Sequence, residues 1–304
     1  MLIPDNVGKI INAVLYEGYM LYPYRQSALK NRHRWNFGVL FPESYSATHA
    51  PAETSTMQTE CVLLGEDHTA LTAGVRFLHL PPEGTERGAV EREITTPAMK
   101  LAQLVGEKSI LAFVCADDRN ADRSATTVVP VSGEIEISAA PAAEKAYRLT
   151  VRVRNTTSLD AAPAGRDRAL PFALVSTHII LHATSGEFVS LIDPPKEHAE
   201  AAAVCRNIGA WPVLVGDPGE RQWMLASPII LYDYPQIAPE SPGDFFDGTE
   251  IDELLTLRVL TLTEEEKQEL RRGDRRAREI LDRSETLPED HLLKLHGALR
   301  GMDK

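Results

Sequence analysis

Cysteine is scarce, with three residues, Cys61, Cys115 and Cys205, in a chain of 304. They are odd in number and far apart, and no CxxC or CxxxC spacing occurs. This excludes a disulfide framework and the paired-cysteine metal sites, and suits reduced thiols. Other catalytic signatures are missing as well: the chain has no GxxxxGK[ST], GxGxxG, HExxH or GxSxG. The common phosphate-cradling, dinucleotide-binding, zinc-peptidase and serine-hydrolase classes therefore lose their usual support. No apolar run approaches the roughly 20 residues that span a bilayer. The opening MLIPDNVGKIINAVLYEGYM carries an acid and a proline where a signal peptide has a basic start, and no small-residue cleavage site follows. The expectation is a cytoplasmic protein without a membrane span, in which the sequon Asn155-Thr156-Thr157 arises by chance.

Positive charge is in short supply too. Lys and Arg number 32 against 44 Asp and Glu, for a net charge of -12. Phosphate binding relies on lysine and arginine displacing counterions, so nucleic acid and anionic membranes are disfavoured as partners. The hydrophobic share of 43% and charged share of 25% are those of a globular chain, and 20 prolines with 19 glycines announce many turns. The length allows one large domain or two, with a core that needs neither disulfides nor metal.

After Pro4, Asp5 or Asn6 caps a helix whose apolar residues Val7, Ile10, Ile11, Val14 and Leu15 recur at helical spacing. It buries one stripe and must dock on something. Beyond it the pattern changes to short runs rich in β-branched and aromatic residues between Gly, Pro and Asp turns. Strands are predicted at 37–41, 58–64, 74–80, 109–115, 134–139, 147–155, 173–183 and 187–192, with a pair inside 213–232. In YRLTVRVRN, Leu149, Val151 and Val153 alternate with arginines and a threonine, the period of a half-buried antiparallel strand. GEIEIS alternates likewise. No regular strand-helix rhythm appears, which favours a sandwich. EHAEAAAVCRNIG (197–209) reads as helical and PEGTERGAVEREIT (82–95) as a charged loop or short helix. Past Pro235 comes an acidic, Pro- and Gly-rich connection. Thr263 with Glu266 then forms a capping box for a charged helix from about Glu264 to Arg283, followed by a short helix in DHLLKLHGALR.

The fold expected is mainly β: an antiparallel β-sandwich over 31–235, preceded by a docking helix and basic segment (1–30) and followed by an acidic linker and C-terminal helices (236–304).

Four groups of residues invite a functional reading. His178 and His182 in STHIILH share a face on either a helix or a strand and could present imidazoles to zinc; histidines at a partly solvated sheet face are the plainer alternative. Cys61 and His79, on strands predicted to be neighbours, could meet as thiolate and imidazole, or both could sit in the core. The carboxylates of DFFDGTEIDE (Asp244, Asp247, Glu250, Asp252, Glu253) could draw calcium, but their spacing does not match an EF-hand loop, and acid at a helix start explains them. The fourth group is the basic and aromatic stretch Tyr24, Arg25, Lys30, Arg32, Arg34 and Trp35, the composition of protein-interface anchors. Residues 1–38 hold five Lys/Arg against two Asp/Glu, while 239–304 hold 11 against 17. The basic segment faces either an external acidic partner or the chain's own acidic tail.

The blocks LYPYRQSALKNRHRWNFGVLFP, MQTECVLL, VRFLHL, SPIILYDYPQIAPES and FFDGTEIDELLTLRVLTLTEEEK resemble a family of uncharacterised accessory proteins encoded beside nickel-iron hydrogenases in soil bacteria. The likeness spans most of the chain and is most specific over Leu21 to Pro42 and Ser227 to Lys267. It implies a role in assembling or supporting such a hydrogenase and transfers no catalytic residue. The expected function is a non-enzymatic protein-binding or assembly factor with a hydrogenase subunit as candidate partner and no cofactor. The alternative is a metal-handling protein or hydrolase on the same scaffold, using Cys61, His79, His178 or His182.

Overall fold

The computed structural model describes residues 1–17, 22–24, 37–82, 89–116, 128–159, 163–237, 252–272 and 275–288. Its elements run α1 (Asp5–Leu15), α2 (Glu43–His49), β1 (Thr56–Leu64), β2 (Ala70–His79), β3 (Val90–Thr95), β4 (Met99–Lys100), α3 (Leu101–Gly106), β5 (Ser109–Cys115), β6 (Val131–Ala143), β7 (Ala146–Asn155), α4 (Arg166–Ala169), β8 (Val175–Thr184), β9 (Glu187–Phe188), α5 (Ala199–Ala203), β10 (Trp211–Leu214), β11 (Trp223–Ser227), α6 (Asp252–Leu260), α7 (Glu264–Arg272) and α8 (Arg275–Thr286). They fall into two units, one of Met1–Leu15, Phe37–Thr85 and Ala89–Pro235, the other of Tyr16–Asn36, Glu86–Gly88 and Gln236–Lys304.

The first unit is built on two antiparallel sheets. Sheet one has the order β5-β6-β7-β1-β9; sheet two has β10-β11-β8-β2-β3, with β4 also on β2. Alternation along the strands decides which residues face inward. Ile135 and Ile137 of β6, Leu149, Val151 and Val153 of β7, and Met57, Cys61 and Leu63 of β1 join Leu71, Ala73, Val75 and Phe77 of β2, and Ile179 and Leu181 of β8, in one buried cluster. A core fed by the inner faces of both sheets is the mark of a sandwich, as the strand periodicity predicted.

On the outer face of sheet two a second cluster forms. Val7, Ile10, Ile11 and Val14 of α1 pack with Ile180, Val213, Val215, Trp223 and Leu225. Val7, Ile11, Ile180 and Leu225 are fully buried, so α1 covers an apolar patch on this face, and the predicted docking is observed. The opposite outer face, on sheet one, carries a polar network in its middle, beside an apolar cluster of Val62, Ala146 and Val189. Arg152 donates to Glu136 at 2.8 Å and to Gln58, and Lys108 to Glu136 at 2.8 Å, while Glu60 accepts from Thr150 and from the Arg206 backbone.

Several local expectations change. Val90–Thr95, read as loop or short helix, is a strand paired with β2; its charges suit an edge. Residues 37–41 form no strand of their own. Leu40 makes isolated bridges to Thr54 and Leu174, and α2 follows within two residues of Phe41. The helix predicted over 197–209 shortens to α5. The helix predicted from Glu264 to Arg283 folds back on itself: Arg271 of α7 meets Glu285 of α8 at 2.9 Å, whereas 14 residues of continuous helix would hold them about 21 Å apart. The capping box stands, with Glu266 accepting from the Thr263 backbone at 2.9 Å and Thr263 Oγ1 accepting from the Glu266 backbone. The helix predicted in DHLLKLHGALR and the acidic residues 244–250 lie outside the described residues.

The second unit has its own apolar interior. Leu255, Val259, Leu262, Leu270, Ala277, Ile280 and Leu281 are buried, Lys267 and Arg271 both reach Glu285, and Arg276 stacks over Tyr16 at 3.6 Å.

Candidate functional site

The side chains with catalytic potential are dispersed, and Cys61, His79 and His178 among them are buried. Cys61 lies on sheet one, paired opposite Leu149, and His79 at the end of β2 on sheet two, opposite Val90. The strands expected to be neighbours belong to opposite sheets, because the β1–β2 connection crosses the sandwich. Both residues have no exposed surface. Burial pushes the Cys61 thiol well up, with Cys205 and Glu60 adding to it; a thiol so placed is held in its neutral, unreactive form. Burial, helped by the Arg92 charge, lowers His79 to about 4, and its ring nitrogens face the Val129 and Pro171 carbonyls without a true hydrogen bond.

His178 and His182 do share the outer face of β8, as their even spacing requires. Four residues of strand separate them by about 13 Å, too far for one metal ion. His178 is fully buried, is held at about 4 by burial and meets the Ser176 carbonyl through Nδ1 at 2.6 Å. His182 stacks on Trp223 at 4.2 Å. Among the described residues, no group of three His, Cys, Asp or Glu is placed to hold a metal.

At one end of the sandwich an open cleft of about 500 Å³ is lined by Gly65, Glu66, Lys145, Ser185, Gly186 and His198 among others. Three strand connections build it around Thr69, whose hydroxyl donates to the Ser185 carbonyl and accepts from the Glu66 backbone, both at 2.9 Å. A Cβ on Gly65 or Gly186 would come within 2.7 Å of the Thr69 side chain, so glycine is what lets these turns close on it. The rim charges Glu66 and Lys145 pair at 2.9 Å, and each stabilises the other's charged form. The Thr69 hydroxyl and the Glu66–Lys145 pair are satisfied within this junction, while His198 Nδ1 is buried without a hydrogen-bond partner.

A different kind of feature follows β11. Ile229 and Leu231 lean on the α1 cluster, so the alternate residues turn outward: Ile230 is 74% and Tyr232 83% exposed. The segment is pinned at both ends. Ser227 Oγ accepts from the Ile229 backbone at 3.1 Å. Asp233 accepts from Ser190 Oγ at 2.5 Å and from the Leu214 backbone at 2.8 Å. Tyr234 donates from its backbone to Leu214 at 2.7 Å and from its hydroxyl to the Glu220 carbonyl at 3.0 Å. Two large apolar side chains are thus held out to solvent on a fixed backbone. The strand expected to run to Tyr232 ends at Ser227, and the display of Ile230 and Tyr232 has no signal in the local residue pattern.

Of the predicted interface residues, Arg25, Lys30, Arg32, Arg34 and Trp35 lie outside the described residues. Tyr24 is buried at 1% exposure and packs edge-on against Tyr22 at 6.2 Å. Its ring is packed inside the described chain. No protein-family model matches the chain, and no curated protein matches it.

Proposed function

We propose that this chain is a non-enzymatic protein-binding or assembly factor, and that its partner is a subunit of a nickel-iron hydrogenase. The observation that carries the binding reading is the pinned segment 227–234 with Ile230 and Tyr232 turned outward. Large side chains presented on an ordered backbone bind with little entropy left to lose, and tyrosine is among the residues enriched at interface hot spots. The choice of partner rests on the sequence resemblance, whose specific blocks include this same segment. The hydrolase and metal-handling alternative draws no support from Cys61, His79 and His178, which are buried and apart.

The test is genetic. In the native host, the chain is replaced by one carrying Ile230→Asp and Tyr232→Asp, and hydrogenase activity and subunit assembly are measured. The proposal expects assembly to fall with the variant protein still present at normal level. Full hydrogenase assembly in that strain rejects it.

A further inference from the structure

The stripe of α1 meets β8 at Ile180, and the residues two positions away on either side, on the same outer face, are His178 and His182. Both are joined to what holds the helix. His182 stacks on Trp223, its partner across β8 and β11, and Trp223 packs in the α1 cluster. His178 lies directly opposite Arg76 of β2, and Arg76 donates from Nη1 to Asn12 of α1 at 2.9 Å. The same guanidinium reaches Glu91 at 3.1 Å and Glu93 at 3.7 Å on β3. Toward its start α1 is held by Asn6, which donates to Asp217 at 2.9 Å. Arg76 is therefore the charge at which β2, β3 and the helix meet.

His178 fits this place only as a neutral ring. The β2–β8 pairing is irregular here, and Ser176 stands at a φ of 52°. Its carbonyl, which can only accept, takes the Nδ1 proton at 2.6 Å. That fixes the tautomer and leaves Nε2 as a bare acceptor, buried and without a hydrogen-bond partner. A second proton has to arrive at Nε2, where it finds no acceptor and places a buried charge opposite a guanidinium.

We propose that α1 is held by a proton-sensitive clasp: a proton taken up by His178 turns Arg76 away from Asn12 toward the β3 carboxylates and solvent, and α1 lifts from sheet two. Glu91 and Glu93, both more exposed than Arg76, offer the guanidinium its new position. The other titratable groups around this face are His182, lowered by burial and by the Met1 ammonium, and Asp5 and Lys9 of α1; among the described residues none of them pairs with His178. Ile229 and Leu231 lean on the same cluster, so release of α1 also loosens the segment that turns Ile230 and Tyr232 outward. That consequence bears on the binding reading above, while the release itself does not depend on what those two residues bind.

The test is amide hydrogen exchange on the full-length chain at pH 7 and pH 4.5, corrected for the intrinsic rates and with no partner present. Amides of α1 open more readily than those of β7, by a local route. A histidine held at about 4 when α1 is docked and returned to its ordinary 6.5 on opening makes that opening about fiftyfold more frequent at pH 4.5 than at pH 7. His79→Leu leaves the fiftyfold rise in place, because opening of α1 does not expose the other buried histidine, whereas His178→Phe abolishes it. An α1 that opens equally at both pH values overturns the proposal, as does a rise that survives in His178→Phe. Should His178→Phe fail to fold, the wild type decides alone: α1 amides that open only together with those of β7 overturn the clasp. The Ile229 amide follows α1; if it keeps its protection while α1 opens, the link to the outward segment is rejected.

Discussion

Asn155 shows how much one side chain can decide. It is fully buried; its Nδ2 donates to the Leu40 and Phe172 carbonyls at 2.8 Å each, and its Oδ1 accepts from the Thr157 backbone at 2.9 Å. One amide thus ties the end of β7 to two other segments. Asn155→Ala strands these buried partners and is expected to cost about 2–4 kcal/mol in denaturant unfolding. Burial also makes the sequon inaccessible in the folded chain, an answer that spacing alone could not give. His79 and His178 carry the pH dependence. Both are lowered to about 4 from an ordinary 6.5, so the native state holds them neutral while the unfolded chain takes up protons. Stability is therefore full above about pH 6.5 and falls as pH drops toward 4, by on the order of 3 kcal/mol per histidine. Melting between pH 7 and pH 4.5 should show that slope, and His79→Leu should reduce it by about half, His178 keeping the rest, whatever it does to stability at neutral pH. A variant with the wild-type slope would contradict the assignment. The three cysteines are free; the unfolded chain without reductant should titrate three thiols, while Cys61 in the native protein should react only as fast as the protein opens.

Elements were legible where their pattern is local. The alternation in β6 and β7, the stripe of α1 and the Thr263–Glu266 capping box all survive in the structure because each is set by residues a few positions apart. What failed was non-local or at an edge. Cys61 and His79 looked like neighbours because their strands are consecutive, but pairing is decided by which strands share a sheet, and β1 pairs with β7, 90 residues on. The strand β3 was hidden by charges that protect an edge and resemble a loop. Residues 37–41 have strand composition yet make only bridges, since Leu40 serves as a spacer between Thr54 and Leu174. The displayed residues Ile230 and Tyr232 were invisible because exposure depends on what Ile229 and Leu231 pack against. The docking of α1 yields a prediction at this scale. Ile11 is fully buried among Ile180, Val213 and Trp223, and Ile11→Ala should lower stability by about 2–4 kcal/mol. Loss of a few tenths only would mean that α1 is not held by this stripe.

At the scale of the molecule, the described residues make a sandwich, with α1 packed on one of its faces, and a helical unit with its own interior. No described helix is long and apolar enough to cross a membrane. The excess of acid, -12 overall, makes the basic stretch Arg25 to Arg34 conspicuous, and an electrostatic contact there has a clear signature. Arg25→Ala, Arg32→Ala and Arg34→Ala together should weaken partner binding, and raised salt should mimic the loss, whereas single changes worth at most about 1 kcal/mol should show little. Binding that ignores both would remove this segment from the account. The most direct measurement of the central claim is quantitative affinity capture from the native host, using the wild type and the Ile230→Asp, Tyr232→Asp chain side by side. The account predicts that the wild type retains a hydrogenase subunit in near-equal amount and that the variant, melting normally, loses it. Equal retention by both chains, or no hydrogenase subunit with either, would contradict it.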